Sequence, residues 1–596
     1  MPSSLRAILR AGRDQLVADL REDPYLRYIL LLSVGLSLFG IWHRIPNFAT
    51  RDEFSRILDA LVPYARVIEE PSFESLSTGV AWGRAPFGAT TFLYGVLLFP
   101  LVAFAVVTGQ GGVFSELAVP AWEFGFYEPW HATPEWVWTW SIALVRLANV
   151  AFAVGSVYLT YRLGVELANR QTGRLASLLL TLTFGFLTIA HEGGEDMPAT
   201  FLVLLAILFL VHYVKRGERW CFLAASVAGG LAIGFKLTAI PVIVVIGFAY
   251  VLRLFDGGAG TILERFDARL VVAGALLGLL VIFASFPTAW VGRLDLVVER
   301  IFGDSVARAT HTTGPDAPTL WWFLRGYFSA LGLPLFVASV VGVGASIWHI
   351  RRRPSEASAA LLVLVGLGTY LLLFSTWHDF RVHHLLPTFP LIAILLGWSL
   401  SRFRDRAPAI GRVAIALVVL TSALYAGVGV AEYADMPRDQ AVEWLETNAE
   451  EDTLVETYRR SIQDTAIPHS MNVTHAYGSH GTDERLDPCP TYIQLGYRDL
   501  LYLTEGTYYR NGPVRANYLR KLLDGAYGYE IAAEFGPRPP DFVPDRPEPG
   551  NYVDLLRLGV VPQTDQYADE QELAENQYTV ILEMTGECDR SRYPPF

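Results

Sequence analysis

Apolar runs of about twenty residues recur through the chain, the length an α-helix needs to cross roughly 30 Å of hydrocarbon. Nothing else in the sequence limits the fold as much. In lipid every backbone N–H and C=O must pair within the segment, so each run has to be a helix. Candidate spans fall at about 27–43, 136–160, 174–190, 199–214, 220–236, 238–254, 269–287, 323–349, 358–376, 384–400 and 410–431, eleven in all. With 52% hydrophobic and 18% charged residues, the chain reads as an α-helical polytopic membrane protein.

The links carrying basic residues, Arg162–Arg174, Lys215–Arg219, Arg253–Arg269, Arg351–Arg353 and Arg402–Arg412, all fall on one side if the N-terminus is inside. The positive-inside rule makes that side cytoplasmic. Loops 44–135, 191–198, a tight turn near 237, 288–322 and 377–383 then face out, and an odd number of spans puts the C-terminal part outside. The polar, Arg-rich residues 1–26 read as a cytoplasmic tail ahead of an uncleaved first anchor. One run does not fit. Thr91–Val107 is nearly long enough to cross, but crossing would reverse the charge bias. It is expected to be a juxtamembrane or re-entrant helix on the outer face, broken around Pro100.

Residues 27–431 form the membrane domain and 432–596 a separate one. From Glu432 onward there are 30 acidic and 14 basic residues, a net of −16, against −12 for the whole chain. Helical spacing at 439–448 and alternating runs at 454–458, 492–495 and 578–582 predict a small α/β domain. Its acid surplus, with three lysines against 44 arginines in the chain, suggests a salt-adapted or GC-rich source. Cys489 and Cys588 both lie here and could pair if the domain is outside; Cys221 lies in an apolar run.

Charged residues cluster at the predicted outer boundary. Asp52 and Glu53 follow the first span, and His191-Glu192-Gly-Gly-Glu195-Asp196 joins two later ones. Carboxylates so near hydrocarbon are costly and mark function. A carboxylate there can serve as general base toward a hydroxyl, and Asp52, Glu195 and Asp196 are the candidate ligands for a divalent cation, Mg or Mn. Arg84, Arg146, Lys236, His311, Arg381, His383 and His384 are the candidate contacts for a phosphate or substrate, with Glu192 and Glu195 for acceptor recognition. Lys236, at the end of an apolar run, has snorkelling as its plainer alternative. No Walker loop, dinucleotide fingerprint, GxSxG elbow or His/Cys metal motif occurs. The energy for any reaction is therefore expected to come with a membrane-borne substrate, and nucleic acid is not an expected partner.

Several motifs recur in a telling order: the acidic pair Asp52-Glu53, Arg146 opening the next span, Asp196-Met-Pro198, Gly230-Leu-Ala-Ile-Gly-Phe-Lys236, and His384-Leu-Leu-Pro387. This order resembles the GT-C glycosyltransferases, in particular the branch of dolichyl-phosphate-mannose protein mannosyltransferases and aminoarabinose transferases, over roughly residues 25–400. The resemblance implies a GT-C fold and a polyprenyl-phosphate sugar donor such as dolichyl phosphate mannose. It also implies inverting transfer to a protein or glycan hydroxyl on the extracytoplasmic face, as in archaeal-like protein glycosylation. By position, Asp52 would be the base and Glu53 its partner near the sugar-phosphate. Arg146, Lys236 and Arg381 would lie near the acceptor or the donor phosphate. The chain has His383-His384 where Arg-Tyr is commoner, which leaves each histidine's role open. The competing reading is a transporter or lipid flippase with an extracellular receptor domain, which predicts ionisable residues in mid-span and internal repeats.

Overall fold

In the computed structural model, residues 5–82, 88–119, 127–256, 265–303, 317–353, 357–376, 381–459, 461–475, 489–504, 512–563 and 577–596 are described. The main helices are α1 (Leu5–Glu22), α2 (Pro24–Leu38), α3 (Arg51–Glu69), α4 (Ala89–Val107), α5 (Glu135–Leu167), α6 (Arg170–Thr181), α7 (Phe184–Ala190), α8 (Asp196–Arg216) and α9 (Arg219–Phe235). They continue with α10 (Pro241–Asp256), α11 (Ala268–Ala284), α12 (Thr319–Arg352), α13 (Ser358–Phe374), the single turn α14 (Val382–Leu385), α15 (Thr388–Arg406), α16 (Pro408–Ala431) and α17 (Pro437–Asn448). Among the described residues, six helices are long and apolar enough to cross a membrane, seven if the bent pair α6 and α7, inclined at 65°, is one span; four shorter helices are also apolar. The protein is a multi-pass membrane protein.

Apolar side chains of α5, α6, α8, α9, α12, α13 and α15 share one continuous core. The basic links gather at one end of it. Arg162 pairs with Asp19 and Arg174 with Asp23, Lys215 reaches Glu166, and Arg219 pairs with Asp267. The predicted N-terminal tail is thus the helix α1, tied to the link between α5 and α6.

The run around Pro100 corrects an expectation: α4 is one continuous 19-residue helix with the proline inside it. Proline removes one helical N–H but does not have to end a helix whose flanks are packed. Its packing is informative. Tyr94 donates to the Gly194 carbonyl (3.5 Å), and Phe104 packs edge-on against Trp136. Both contacts are made where α5 and α8 begin, and α4 is itself among the helices long and apolar enough to cross a membrane.

The C-terminal domain is α/β. Its five-stranded mixed sheet, ordered β2-β1-β3-β5-β4, is built from β1 (Leu454–Thr457), β2 (Asn472–His475), β3 (Tyr492–Gly496), β4 (Tyr529–Phe535) and β5 (Thr579–Met584). β1 runs parallel to β2 and β3, while β5 is antiparallel to β3 and β4. A disulfide joins Cys489 to Cys588. The domain docks on the end of the bundle that carries α3. Asp439 accepts from the Arg44 backbone (3.1 Å), the Asn47 amide donates to the Ile467 carbonyl (2.7 Å), and His469 bonds the Trp130 and Thr133 carbonyls.

A second docking point lies inside the bundle. α12 breaks at Gly332 (φ 69°, ψ 156°), just before Pro334. The kink leaves the Leu333 N–H without a helical acceptor, and the Gly559 carbonyl supplies one at 2.8 Å. Ser329 donates to the Gln563 carbonyl at 2.6 Å, and Leu555 and Leu558 are buried in the helical core.

Candidate active site

Thr50 caps α3, its hydroxyl accepting from the Glu53 N–H at 3.1 Å. This sets two carboxylates at the positive end of the helix dipole, where they are stabilised. The helix then divides its faces. Phe54, Ile57, Leu58, Leu61 and Val62 are buried in the core, whereas Asp52, Arg56 and Asp59 share one side at helical spacing.

On that side a chain of charges crosses from α3 to the start of α8 and the end of α9. Arg56 grips Glu195 through two hydrogen bonds (2.8 and 2.9 Å) and also reaches Asp52 at 3.3 Å. Lys236 lies 3.8 Å from Glu195 and donates to Asp196 at 2.6 Å. Of the sequence candidates, Asp52, Glu195, Asp196 and Lys236 stand in this one network. Arg56 is the link. Within the network the Asp52 side chain is 36% exposed, against 4–12% for Arg56, Glu195, Asp196 and Lys236. Asp52 is the group that an incoming molecule can touch.

Burial works to raise the Glu195 carboxyl, but Arg56 and Lys236 outweigh it and leave Glu195 well below the usual carboxylate range. Burial likewise opposes the charge on Arg56, and Glu195 and Asp52 hold the guanidinium protonated. Asp59 goes the other way. Burial pushes it up to about 7 despite Arg56 nearby, and its Oδ2 is buried with no hydrogen-bond partner. Asp59 was not a sequence candidate; its spacing of seven from Asp52 and three from Arg56 was the available signal.

Glu53 and Arg146, expected near the sugar-phosphate and the acceptor, stand apart from this network. Both side chains are fully buried and face each other, Nε to Oε1 at 2.7 Å and Nη2 to Oε2 at 2.8 Å. Glu53 also accepts from the N–H groups of Ala49 (2.9 Å) and Gly193 (2.8 Å), and Arg146 donates to the Ile41 and His43 carbonyls. With these groups satisfied by protein, the pair clamps α3 to α5 and the 191–195 turn. Gly193 is required there, since a Cβ would come within 2.8 Å of Val145 and 3.2 Å of Glu53. Glu192 lines a small cavity with His43, Arg44 and Tyr433.

Arg381, His383 and His384 sit on α14, where the His384 ring accepts from the Arg381 N–H (2.9 Å) and the two histidine rings pack together. The His384 ring also lies beside Phe374, ring centroids 6.0 Å apart. Arg84 and His311 lie outside the described residues. Among the described residues no group of three His, Cys, Asp or Glu is arranged to hold a metal. Asp52, Glu195 and Asp196 are already matched by Arg56 and Lys236, so a divalent cation would have to displace one of them.

The model of the dolichyl-phosphate-mannose-protein mannosyltransferase family matches residues 137–286. The chain is 25% identical over 304 residues, 47% of its length, to the undecaprenyl phosphate-α-4-amino-4-deoxy-L-arabinose arabinosyl transferase 1 of Pseudomonas fluorescens. It is 27% identical over 269 residues to the corresponding transferase of Pseudomonas aeruginosa, 43% of this chain and 45% of that one. The chain is similar to these transferases over those stretches. It spans about half the length of the curated relatives it matches. Among solved structures, ArnT of Cupriavidus metallidurans bound to undecaprenyl phosphate aligns over 72% of this chain and 73% of its own, at 14% identity and a TM-score of 0.46. The archaeal oligosaccharyltransferase AglB of Archaeoglobus fulgidus aligns over 85% of this chain and 69% of its own, at 11% identity and a TM-score of 0.42.

Proposed function

We propose that this chain is an inverting membrane glycosyltransferase, taking a sugar from a polyprenyl-phosphate donor and passing it to a protein or glycan hydroxyl. The observation that carries the reading is the accessible Asp52 carboxylate at the open edge of the network running through Arg56 and Glu195 to Lys236. Asp52 takes the proton of the acceptor hydroxyl as its oxygen attacks the anomeric carbon. The bond from that carbon to the phosphate oxygen breaks, and its electron pair leaves with the phosphate. Lys236 and Arg56 are the cations of this network; a phosphate reaching Lys236 replaces Asp196 as its partner. The donor sugar is not fixed by these groups. The matched relatives carry names specifying an undecaprenyl-phosphate aminoarabinose donor, which supports the lipid-phosphate class.

The site end of the bundle is assigned to the extracytoplasmic face. The support is the gathering of basic links at the opposite end and the disulfide in the domain docked beside the site, a bond that persists in oxidising compartments. The test is release of polyprenyl phosphate from a panel of lipid-linked sugars by purified protein. Turnover of one donor by the parent but not by Asp52→Asn is the expected result. No turnover of any donor by the parent would remove the reading.

A further inference from the structure

Residues 551–563 of the C-terminal domain dock at the break in α12 and present three sides. Leu555 and Leu558 are buried in the bundle core. Asp554 accepts from the Glu548 N–H (3.0 Å) and Arg557 pairs with Asp545, so the charged side meets the domain's own 545–548 loop. Val553, Leu556 and Val560, at helical spacing, are 72%, 46% and 67% exposed, and Tyr552 is exposed just before them. An apolar row of this kind marks a contact surface. It stands out in a part of the chain whose net charge is −16.

Two helices give the depth of the row. As one straight rod the 34 residues of α12 would measure about 50 Å, well over the roughly 30 Å of hydrocarbon. Counted from the basic end at Arg352, about 30 Å of helix reaches Leu333, whose N–H meets the Gly559 carbonyl. Along that stretch Val337, Val340 and Val341 are exposed on the outside of the bundle. On α16, Tyr425 donates to the Leu558 carbonyl at 2.5 Å, and exposed Leu424 and Val428 flank it. The segment therefore lies level with the last exposed apolar side chains of two neighbouring helices. Its backbone suits a dry setting. Donors from the bundle meet the carbonyls of Asn551 (Trp321 Nε1, 3.0 Å), Leu558, Gly559 and Gln563. The N–H groups of Leu556, Gly559, Val560 and Val561 pair within the segment. Irregular backbone at membrane depth is tolerated only where protein pairs it.

We propose that Val553, Leu556 and Val560 insert among lipid acyl chains at the membrane boundary, making this segment an interfacial anchor of the C-terminal domain. Continuity with the exposed apolar sides of α12 and α16 identifies the occupant as lipid, and Tyr552 suits the headgroup level. The anchor depends on no reading of the Asp52 site.

The experiment uses the full-length protein with one introduced cysteine, Val553→Cys or Val560→Cys, both at exposed positions. Cys221 is buried and Cys489 and Cys588 are joined, so a bimane label goes to the new thiol. Val340→Cys on α12 and Glu443→Cys on α17, also exposed, serve as references. Each labelled protein is reconstituted into phosphatidylcholine vesicles with acyl chains brominated either near the headgroup or near the chain end. Labels at 553 and 560 are expected to lose most of their fluorescence to the shallow bromines and less to the deep ones. Val340→Cys should show the reverse order, and Glu443→Cys little quenching by either. Iodide in the water should quench at 443 and spare 553 and 560. Bromine quenching at 553 and 560 no greater than at 443 would overturn the anchor. Protection from iodide without bromine quenching would mean that protein covers the row, which overturns it as well.

Discussion

Asp52 and Glu53 are neighbours with opposite fates. Glu53 is sealed against Arg146, so Glu53→Gln leaves a buried guanidinium without its anion. Breaking a buried pair in this way typically costs about 3–5 kcal/mol, and a large fall in thermal midpoint is expected. Asp52→Asn should leave the midpoint almost unchanged and lower transfer by about 10²–10⁴-fold, the usual worth of a positioned base. Thermal unfolding and transfer rate, measured on both variants, separate the two roles; a stable Glu53→Gln would refute the clamp. Asp59 makes a pH prediction. Its pKa is raised by burial to about 7, so the folded state holds its proton more tightly than the unfolded chain does. The resulting stabilisation is complete below about pH 4 and is lost as pH rises through about 7. Asp59→Asn removes this dependence. Its midpoint, relative to the parent's, should therefore rise between pH 4 and 8, and a constant difference would mean that Asp59 is an ordinary carboxylate.

Helices were legible because a period of apolar residues about twenty long has few other solutions; in the C-terminal sheet the runs of β1, β3 and β5 were anticipated, whereas β2 and β4 were not. Lys236 was legible because a lysine ending an apolar run needs a partner, and Asp196 is that partner. The partition between Asp52 and Glu53 was not, because it depends on which carboxylate meets an arginine 93 residues away. Nor was the insertion of residues 551–563 against the kink in α12. Its signal, Gly332 with Pro334, marks a break but not what fills it. At Gly332 the backbone holds a conformation essentially reserved for glycine, and a Cβ there would stand 3.0 Å from the Tyr425 ring. Gly332→Ala should therefore displace the inserted segment. Limited proteolysis within 551–563, slow in the parent, is expected to become fast in the variant, and unchanged protection would show that the kink does not hold the segment.

Across the whole molecule, charge and packing fix a single polarity. Arg162, Arg174, Lys215 and Arg219 meet acidic partners at one end, while α3, the charge network and the docked sheet domain share the other. Because Asp439 and Ile467 hold the loop that leads into α3, the C-terminal domain cannot lie on one side of the membrane and the Asp52 site on the other. One experiment therefore orients both. Glu443 is exposed on α17 in the C-terminal domain, and Arg412 is exposed near the start of α16 at the basic end. Cys221 is buried and Cys489 and Cys588 are joined, so a cysteine introduced at either position is the accessible thiol among the described residues. A membrane-impermeant maleimide is expected to label Glu443→Cys on intact cells and Arg412→Cys only after permeabilisation. The reverse pattern would put Asp52 in the cytoplasm, where the basic links would oppose the positive-inside rule. It would leave the chemistry of the network intact but require a donor presented on the inner face.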